Sequence, residues 1–495
     1  MELKNNSPEL PEEQYQVRVE KVKKMQEQGI NPWPASKATN ATSADVKHEF
    51  SDLQDSREYE VAGRILTSRM HGKAGFVTIQ DEAGKIQLYL REDTIGEQAF
   101  SFLNDFIDIG DIIWCRGKSF RTKTGEVTIK AEEFTLLSKC LYPLPEKFHG
   151  IADREIKYRQ RYLDLITDAE DKDRFIKRSH LVSAMRTFFN EHGFLEVETP
   201  MLHPIPGGAI AKPFVTHHNA LGMDLYLRIA PELYLKRLVV GGLPRVYEIN
   251  RNFRNEGISI RHNPEFTMVE YYIAHHDYLY MMLFTEKLLE HIAQTVCGTT
   301  DILFGEHHLH FSAPFERLTM QEAVARVVKC NVEDLEGDKI DAIIKQHKIH
   351  LDQKNPSWGY KLNSLFEELV ESTLIQPTFI TQFPIEVSPL SKRNPNNPDF
   401  ADRFELYVAG IELSNGFSEL NNPFDQAERF QGQAQARAAG EDETHFYDAD
   451  YVHALEYGLP PTVGCGIGID RLTMFLTNAP SIRDVILFPT LRMKE

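Results

Sequence analysis

A segment dense in charged side chains, residues 253–266, lies between two apolar runs and constrains what this chain can fold into. It reads Phe-Arg-Asn-Glu-Gly-Ile-Ser-Ile-Arg-His-Asn-Pro-Glu-Phe, and strand-like runs flank it at 245–249 and 267–272. Gly257 stands where a turn needs a permissive residue. Paired strands that carry so many charges must desolvate some of them, which costs free energy unless each charge meets a charged partner.

Two interpretations of this segment stay open when it is considered alone. The guanidinium of Arg254 suits a phosphate, which it can grip with a planar fork of donors. A surface hairpin whose arms form salt bridges fits the same residues equally well. Features elsewhere in the chain must decide between them.

Composition excludes some classes of protein. The chain has 495 residues, enough for several domains, and its net charge of −18 argues against coating nucleic acid by bulk charge. Between residues 61 and 139, however, basic and acidic residues balance. We expect no membrane partner, because no apolar run approaches the roughly 20 residues of a membrane helix. The N-terminus lacks a secretory signal, and five scattered cysteines fit a reducing cytoplasm without a zinc site.

Residues 1–59 are predicted to form an N-terminal helical extension. Residues 1–10 are expected to be disordered. Apolar side chains three and four apart predict a helix over 11–29. Its lysines face either solvent or RNA.

From about residue 60 the pattern changes to short strands. Five candidates, with a helix at 97–109 between the third and fourth, predict an oligonucleotide-binding (OB) barrel over 60–145, and an SH3-like or sandwich module is the alternative. The stiff sequence Tyr-Pro-Leu-Pro at 142–145 ends this domain. The five candidate strands are 61–66, 75–80, 86–90, 112–117 and 127–130.

Helices and strands alternate in the remainder, residues 146–495. A long helix is predicted at 175–191 and a strand at 194–198, which ends at Thr199-Pro200. A helical unit is predicted to be inserted at about 316–375. Strands resume at 378–380 and 404–408.

Two further constellations could carry chemistry. Glu405 and Glu412 suit a Mg²⁺ site if the fold brings them together, and two surface glutamates are an equal alternative. In Gly464-Cys-Gly-Ile-Gly468 glycines alternate along a strand, which lets a ligand approach closely. A helix beginning near Asp470 would place Arg471 at the rim of a cleft. No dinucleotide-binding or Walker glycine loop occurs.

In this order the segments resemble motifs 1, 2 and 3 of the class II aminoacyl-tRNA synthetases. Motif 1 is the unit ending Glu198-Thr199-Pro200, motif 2 is the opening segment, and motif 3 is 464–471. More narrowly, the chain is similar over nearly its full length to bacterial-type lysyl-tRNA synthetases. The resemblance implies an α+β protein with an N-terminal OB-fold barrel that binds the anticodon and a catalytic domain built on an antiparallel β-sheet flanked by helices.

The resemblance also implies an activity. Members of this family use ATP and Mg²⁺ to convert L-lysine into lysyl-adenylate and pyrophosphate, then transfer lysine to the 3′ end of tRNA(Lys). It implies a cytoplasmic homodimer whose interface is built on motif 1. A lysine-activating relative that modifies a protein would lack the barrel, and a non-catalytic RNA-binding relative would be expected to lose the motif arginines or glutamates.

Site residues follow from the same resemblance, position by position. The residues expected to bind ATP are Arg254, Glu256, His262, Asn263, Phe266, Glu405, Glu412 and Arg471. Among them, Arg254 and Arg471 are expected to be catalytic, and Glu405 and Glu412 to hold the metal. The residues expected to bind lysine are Gly208, Glu232, Glu270, Tyr272, Asn415, Phe417 and Glu419. The residues expected to bind the anticodon are Arg69, Phe76, Gln87 and Glu126.

Three points depend on individual positions or short runs. From its strand pattern alone Phe76 would be assigned to the barrel core, and only the resemblance assigns it to base stacking. Ala274-His275-His276 departs from the Ala-Tyr common in the family, a change expected to tune the pocket. Cys465 is predicted to be a small buried hydrophobe.

Overall fold

The computed structural model describes residues 12–52, 57–145, 153–351, 356–438 and 446–493. The segment 1–10, predicted to be disordered, lies outside these residues. The chain divides into two units, Met1–Ala152 and Asp153–Glu495. Among the described residues, none of the helices combines the length and apolar character that crossing a bilayer requires.

The first unit contains a closed barrel of five strands in the order β1-β2-β3-β5-β4. Two short helices separate the third strand from the fourth, as the OB-fold prediction requires. The elements are α1 Glu12–Glu27, α2 Ser43–Glu49, β1 Glu58–His71, β2 Ala74–Gln80, β3 Lys85–Arg91, α3 Glu92–Ile95, α4 Glu97–Phe106, β4 Ile112–Arg121 and β5 Val127–Ser138.

Alternation along the strands fills the barrel. Val77 and Ile79 of β2 and Leu88 and Leu90 of β3 are fully buried, while their neighbours are half-exposed. The period of two therefore decides which side chains form the core and which form the outer face. Phe76 lies on the outer face, so its assignment to the core from the strand pattern is wrong.

The second unit is built on an eight-stranded sheet in the order β14-β15-β16-β17-β18-β11-β10-β6. Most of its neighbouring strands are antiparallel, as predicted. The helices are α5 Arg154–Arg159, α6 Arg161–Thr167, α7 Ala169–Glu191, α8 Glu232–Val240, α9 Tyr278–Cys297, α10 Met320–Val328, α11 Ile340–His347, α12 Trp358–Leu369, α13 Pro423–Ala438, α14 Ala449–Glu456, α15 Ile469–Leu476 and α16 Ile482–Val485.

Several strands of this unit are short. The strands are β6 Leu195–Glu196, β7 Leu202–His203, β8 Val215–His218, β9 Met223–Leu227, β10 Arg245–Phe253, β11 Glu265–Ala274, β12 Asp301–Phe304, β13 His307–His310, β14 Glu316–Thr319, β15 Thr378–Thr381, β16 Arg403–Val408, β17 Ile411–Ser418 and β18 Thr462–Gly468.

The main core lies on one face of the large sheet. Met185 and Phe189 of α7 and Leu288 of α9 pack there with inward side chains such as Val269 and Ile467. The opposite face of the same strands carries polar residues, and it holds the site described below. Burial of one face thus leaves the other free for a ligand.

Three sequence predictions differ from the structure. The inserted unit is not helical from its start, because 316–319 forms β14, which pairs in parallel with β15. The predicted strand 194–198 is shortened to Leu195–Glu196, since only two residues pair with β10. Helix α7 begins at Ala169, where Asp168 caps it by accepting hydrogen bonds from two backbone amides.

Gly416 of β17 supplies a test of this packing. A Cβ there would lie 2.5 Å from Cζ of Phe404, a fully buried ring. We expect Gly416→Ala to lower the free energy of unfolding by about 1–3 kcal/mol, measured by urea denaturation.

Gly432 of α13 is the matched control, because a Cβ there meets nothing within 4 Å. Gly432→Ala should raise stability by up to about 1 kcal/mol through helix propensity. Equal effects of the two substitutions would contradict the packing argument.

Candidate functional site

Strand β18 forms the floor of a pocket because one of its faces has no side chains from Gly464 to Gly468. Gly464, Gly466 and Gly468 point to this face, while Cys465 and Ile467 point into the core and are buried. Burial also raises the pKa of the Cys465 thiol to about 11, so the residue is the buried hydrophobe predicted from the sequence. A strand of alternating glycines thereby opens a trough inside a continuous sheet.

The neighbouring strands supply the walls of this trough. On one side β11 places Glu270 opposite Gly466 and Tyr272 opposite Gly464. On the other side β17 places Asn415 and Phe417 opposite the same two glycines. Four predicted site residues therefore meet across a single glycine strand.

The pocket has a volume of about 450 Å³. The sequence-predicted residues that line it are Gly208, Glu232, Arg254, Glu256, His262, Asn263, Phe266, Glu270, Tyr272, Glu405, Glu412, Asn415, Phe417 and Arg471. Glu419 does not line the pocket and lies buried next to its floor. Arg69, Phe76, Gln87 and Glu126 belong to the other unit.

One end of the pocket is basic. Arg254 begins the loop between β10 and β11, and its guanidinium lies 5.1 Å from the centre of the Phe266 ring. Its Nε is buried and has no hydrogen-bond partner. Burial lowers the pKa of Arg254, and the positive charge of Arg471 adds to this effect. An anion would relieve both the unmet donor and the repulsion.

Arg471, at the start of α15, forms the second part of this end. Its Nη1 donates to the backbone carbonyl of Glu412 at 2.5 Å, and its Nη2 lies 3.2 Å from Nε2 of His262. Burial, together with Arg471 and Arg254, lowers the pKa of His262, so that the imidazole is neutral and can accept from Arg471.

The charged loop is closed by its own backbone. The amide of Arg254 donates to the carbonyl of Pro264 at 2.8 Å, and the Asn263 side chain donates to the Glu265 carbonyl at 2.7 Å. These bonds hold Arg254 near Phe266 although twelve positions separate them in the sequence. The segment is a hairpin with a long loop, and it faces the pocket.

Carboxylates crowd beside the arginines. Glu405 is buried, with one oxygen 2.5 Å from Nη2 of Arg403 and the other accepting from the Tyr407 hydroxyl at 2.5 Å. Burial raises its pKa to about 7, and repulsion from Glu412 contributes. Glu371 shares the Tyr407 hydroxyl, and burial with Glu405 nearby raises its pKa to about 7 as well. The raised pKa values indicate that nearby positive charge does not fully stabilise the ionised form of these carboxylates.

The opposite end of the pocket is acidic. Glu270 is buried and accepts a hydrogen bond from the Tyr272 hydroxyl at 3.1 Å. Burial raises its pKa well above the ordinary value, and the negative charge of Glu232 adds to the shift. The Tyr272 bond offsets only part of this.

Lys236 of α8 lies behind these carboxylates. Its Nζ is 2.6 Å from Oε1 of Glu232 and 2.8 Å from Oε2 of Glu419. Burial raises the pKa of Glu419 to about 8, against the opposing effect of Lys236. Three buried carboxylates, counting Glu270, thus share one ammonium group.

Glu419 keeps one oxygen free at the floor of the pocket. Its Oε1 is buried and has no hydrogen-bond partner. This oxygen faces the pocket because Gly464 has no side chain to cover it. A Cβ built on Gly464 would lie 2.4 Å from the oxygen. A buried acceptor without a donor is costly, and a ligand with an N–H group would satisfy it.

Another acidic cluster lies away from the pocket. Asp164, Asp168 and Asp171 bring their oxygens within 4.8 Å of one another. Lys157 already forms ion pairs with all three, at 3.6 Å for Asp164 and 3.9 Å for Asp168. The cluster is therefore a structural ion network around a lysine.

In the barrel, the predicted residues share the outer face of β1 to β3 or lie beside it. Arg69 is paired with Phe76, and Phe76 stacks on Tyr89 with ring centres 4.8 Å apart. Gln87 accepts from the Thr128 hydroxyl at 2.9 Å, which orients its amide. Glu126 is exposed in the turn before β5.

Sequence reasoning missed several residues. Tyr89 and Phe120, whose ring centres lie 5.9 Å apart, extend the aromatic surface of the barrel. The strand period of two places Tyr89 on the face of Gln87 and could have revealed it. Lys236 could have been found from its spacing of four after Glu232 on a helix. Arg403, which holds Glu405, could have been found from its spacing of two on a strand, which places both side chains on one face.

Comparisons with known proteins found matches for both units of the chain. Residues 153–492 match the family described as tRNA synthetases class II (D, K and N), and residues 59–137 match the OB-fold nucleic acid binding domain. The chain is 52% identical to a heat-inducible lysine–tRNA ligase of Escherichia coli K12 over 489 residues, 97% of this chain and 96% of that protein. It is 52% identical to lysine–tRNA ligases of Salmonella arizonae and Pectobacterium carotovorum, again over at least 95% of each chain.

The floor of the pocket can be tested at Gly464. A Cβ there would lie 2.3 Å from Cε1 of Tyr272 as well as beside Glu419. We expect Gly464→Ala to raise the Kd for L-lysine at least about tenfold, because relieving the clash costs more than about 1.4 kcal/mol. Isothermal titration calorimetry measures this. Gly432→Ala is the control, and an unchanged Kd in Gly464→Ala would contradict the assigned floor.

Proposed function

The chain belongs to the class II tRNA synthetases of the aspartate, lysine and asparagine group, and we propose that its pocket activates L-lysine with ATP. The product is lysyl-adenylate, from which lysine passes to the 3′ end of tRNA(Lys). The protein is thus a lysine–tRNA ligase, the activity named for curated relatives that are 52% identical over nearly the whole chain.

One observation favours lysine above all: the partnerless oxygen of Glu419 at the acidic end of the pocket. Glu232, Glu270 and Glu419 share the single ammonium of Lys236. Lysine carries an α-ammonium and an ε-ammonium, so its binding balances the remaining two negative charges. We propose that Glu232 lies near the α-ammonium and that Glu419 and Tyr272 lie near the ε-ammonium.

Aspartate and asparagine fit this pocket poorly. An aspartate side chain would need a free cation, and Lys236 cannot serve because it is fully buried and already holds two carboxylates. An asparagine amide would leave buried negative charge unbalanced. Phe417 and Asn415 complete the proposed contacts along the aliphatic part of lysine, and Gly208 leaves room beside Glu232.

We assign ATP to the basic end. Arg254, with its unmet buried Nε, would hold the α-phosphate, and Arg471 would hold the γ-phosphate. Phe266 would stack on adenine. Glu256, His262 and Asn263 would contact the nucleotide or shape the loop that does. Arg254 and Arg471 are thus the proposed catalytic residues.

We further propose that Mg²⁺ binds at Glu405 and Glu412. The pKa values of Glu405 and Glu371 are both raised, and the carboxylate of Glu412 lies beside them. This indicates uncompensated negative charge next to the proposed phosphate-binding arginines, which suits a hard cation. When bound, the ion would neutralise phosphate charge. Arg403 orients Glu405 for this role.

The chemistry follows from these positions. The lysine carboxylate is ionised at neutral pH, so its oxygen can attack the α-phosphorus without a general base. The bond to the β-phosphate oxygen breaks and pyrophosphate leaves. Fixed guanidinium groups stabilise the charge that grows on the phosphoryl oxygens. A ribose hydroxyl of the tRNA then attacks the activated carbonyl, and AMP leaves.

For tRNA we propose that the outer face of the barrel reads the anticodon. Phe76, stacked on Tyr89, offers a ring to a base, and Arg69, Gln87 and Glu126 offer charge and hydrogen bonds. The proposed domains are a helical extension at 1–59, the barrel at 60–145 and the catalytic domain at 146–495.

We also propose a homodimer in the cytoplasm, where its tRNA substrate is used. The support for a dimer is a run of exposed apolar side chains around motif 1, which a second copy would cover. They are Leu195, Met201, Leu202, Ile205, Ile210, Val215, Leu221 and Met223.

Amino-acid-dependent exchange of pyrophosphate into ATP tests the activity. Purified protein with Mg²⁺ should show exchange with L-lysine and little with the other standard amino acids. Glu419→Gln should lower kcat/KM for lysine about a hundredfold, because it removes a charge-assisted bond of about 2–3 kcal/mol. Glu456→Gln, on the exposed surface of α14, is the matched control and should behave as the unmodified protein. Exchange with aspartate or asparagine but none with lysine would overturn the assignment.

Lysine affinity should depend on pH. The pKa of Glu419 in the free site is raised to about 8, and only its ionised form attracts an ammonium group. The Kd for lysine should therefore fall as pH rises from 6.5 to 8, by up to about tenfold per unit for each group that ionises. Calorimetry in two buffers of different ionisation enthalpy should show proton release on binding below pH 8. A Kd independent of pH and no proton release would contradict this.

A further inference from the structure

Lys236 is a fully buried lysine that the reaction described above does not use. It lies on α8 four residues after Glu232, and the Phe417 and Tyr451 rings lie 5.8 and 5.4 Å from its Nζ. Its Nζ contacts one oxygen of Glu232 and one oxygen of Glu419. The first carboxylate belongs to a helix, and the second follows the last residue of β17.

The two carboxylates it joins are the ones assigned to opposite ends of the substrate. Both bonded oxygens lie within 2.8 Å of a single nitrogen. Because each carboxylate is held by one oxygen, its second oxygen is turned elsewhere, and that of Glu419 points to Gly464 without a partner. A single ammonium thus determines both the separation and the orientation of two binding groups.

We propose that Lys236 is a positioning residue for substrate recognition, which sets the spacing between Glu232 and Glu419 and thereby the length of amino acid that the pocket accepts. This inference rests on the proposed lysine activation. Lys236 does not touch the substrate. Its two ion pairs draw the carboxylates towards one nitrogen and thereby fix their separation, on which the preference for a four-carbon side chain over the shorter L-ornithine depends.

The charges agree with this role. Burial alone would lower the pKa of Lys236, but Glu232 and Glu419 raise it well above the ordinary value, so it stays an ammonium. Without it, two carboxylates would face each other in a dry site, and their pKa values would rise further. A protonated Glu419 cannot pair with the substrate.

A purely structural role is the competing explanation, and the chain offers a matched control for it. Lys139 is also fully buried, with its Nζ 2.5 Å from Asp108 and 2.7 Å from Asp111. It belongs to the barrel unit. Lys139→Met therefore measures what loss of a buried lysine between two carboxylates does when no substrate is near.

The experiment compares Lys236→Met, Lys139→Met and the unmodified protein in pyrophosphate exchange with L-lysine and L-ornithine from pH 6.5 to 9. We expect Lys236→Met to raise KM for lysine tenfold or more, with kcat changed less than about threefold. The acid limb of kcat/KM should move to higher pH, because Glu232 and Glu419 lose the charge that favours their ionised forms. The preference for lysine over ornithine should fall. Lys139→Met should lower thermal stability and leave all these quantities unchanged.

Lys236→Arg serves if Lys236→Met does not fold. It keeps the positive charge but spreads it over a planar fork, so the acid limb should stay in place while the lysine-to-ornithine preference falls. An unchanged KM, pH profile and preference in a folded variant would overturn the proposal, as would a fall in kcat alone. Absence of lysine-dependent exchange in the unmodified protein would instead refute the proposed function.

Discussion

The pocket depends on a stretch of one strand, Gly464 to Gly468, that has no side chains on one face. In most sheets the two faces of a strand are both covered by side chains, and a cavity within the sheet is impossible. Here Gly464, Gly466 and Gly468 leave the space, and the pairing of β18 with β11 and β17 brings residues from both neighbours to its edges. The hydrophobic core on the reverse face holds this strand flat and fixed.

Charge separation within the trough follows from that geometry. Arg254 and Arg471 line one end, Glu232 and Glu270 line the other, and Glu419 lies buried next to the floor. Both groups are partly or wholly withdrawn from water. Each group is unfavourable without a ligand, since buried donors, acceptors and like charges remain unmatched. The proposed substrate pair, with phosphates at one end and ammonium groups at the other, would relieve both. The protein thus gives up folding stability for binding energy, as functional sites commonly do.

Much of this arrangement could be predicted from the sequence, and the exceptions have physical causes. The helix at 11–29, the five barrel strands and the segment around Arg254 follow local patterns that need no distant partner. Phe76 was assigned to the core by pattern because a strand aromatic is usually buried, yet Val77 and Ile79 already fill the inward face. Residues 316–319 form a strand only because β15, sixty residues later, pairs with them. Lys236 acquires Glu419 as a partner through a tertiary contact between residues 183 positions apart, which no local spacing reveals.

The buried lysine behind the pocket has a consequence for translation itself. Lysine at position 236 is delivered by the same aminoacyl-tRNA that this protein supplies. Under the role proposed for Lys236, the fidelity of each enzyme molecule therefore depends on the accuracy of the molecules made before it. An ornithine or other analogue incorporated there would be too short to hold both carboxylates, and it would weaken the selection that should have excluded it. Errors in charging would therefore lower the selectivity of enzyme molecules made later. Under the proposed role, this is because the site that selects lysine is itself positioned by a lysine residue.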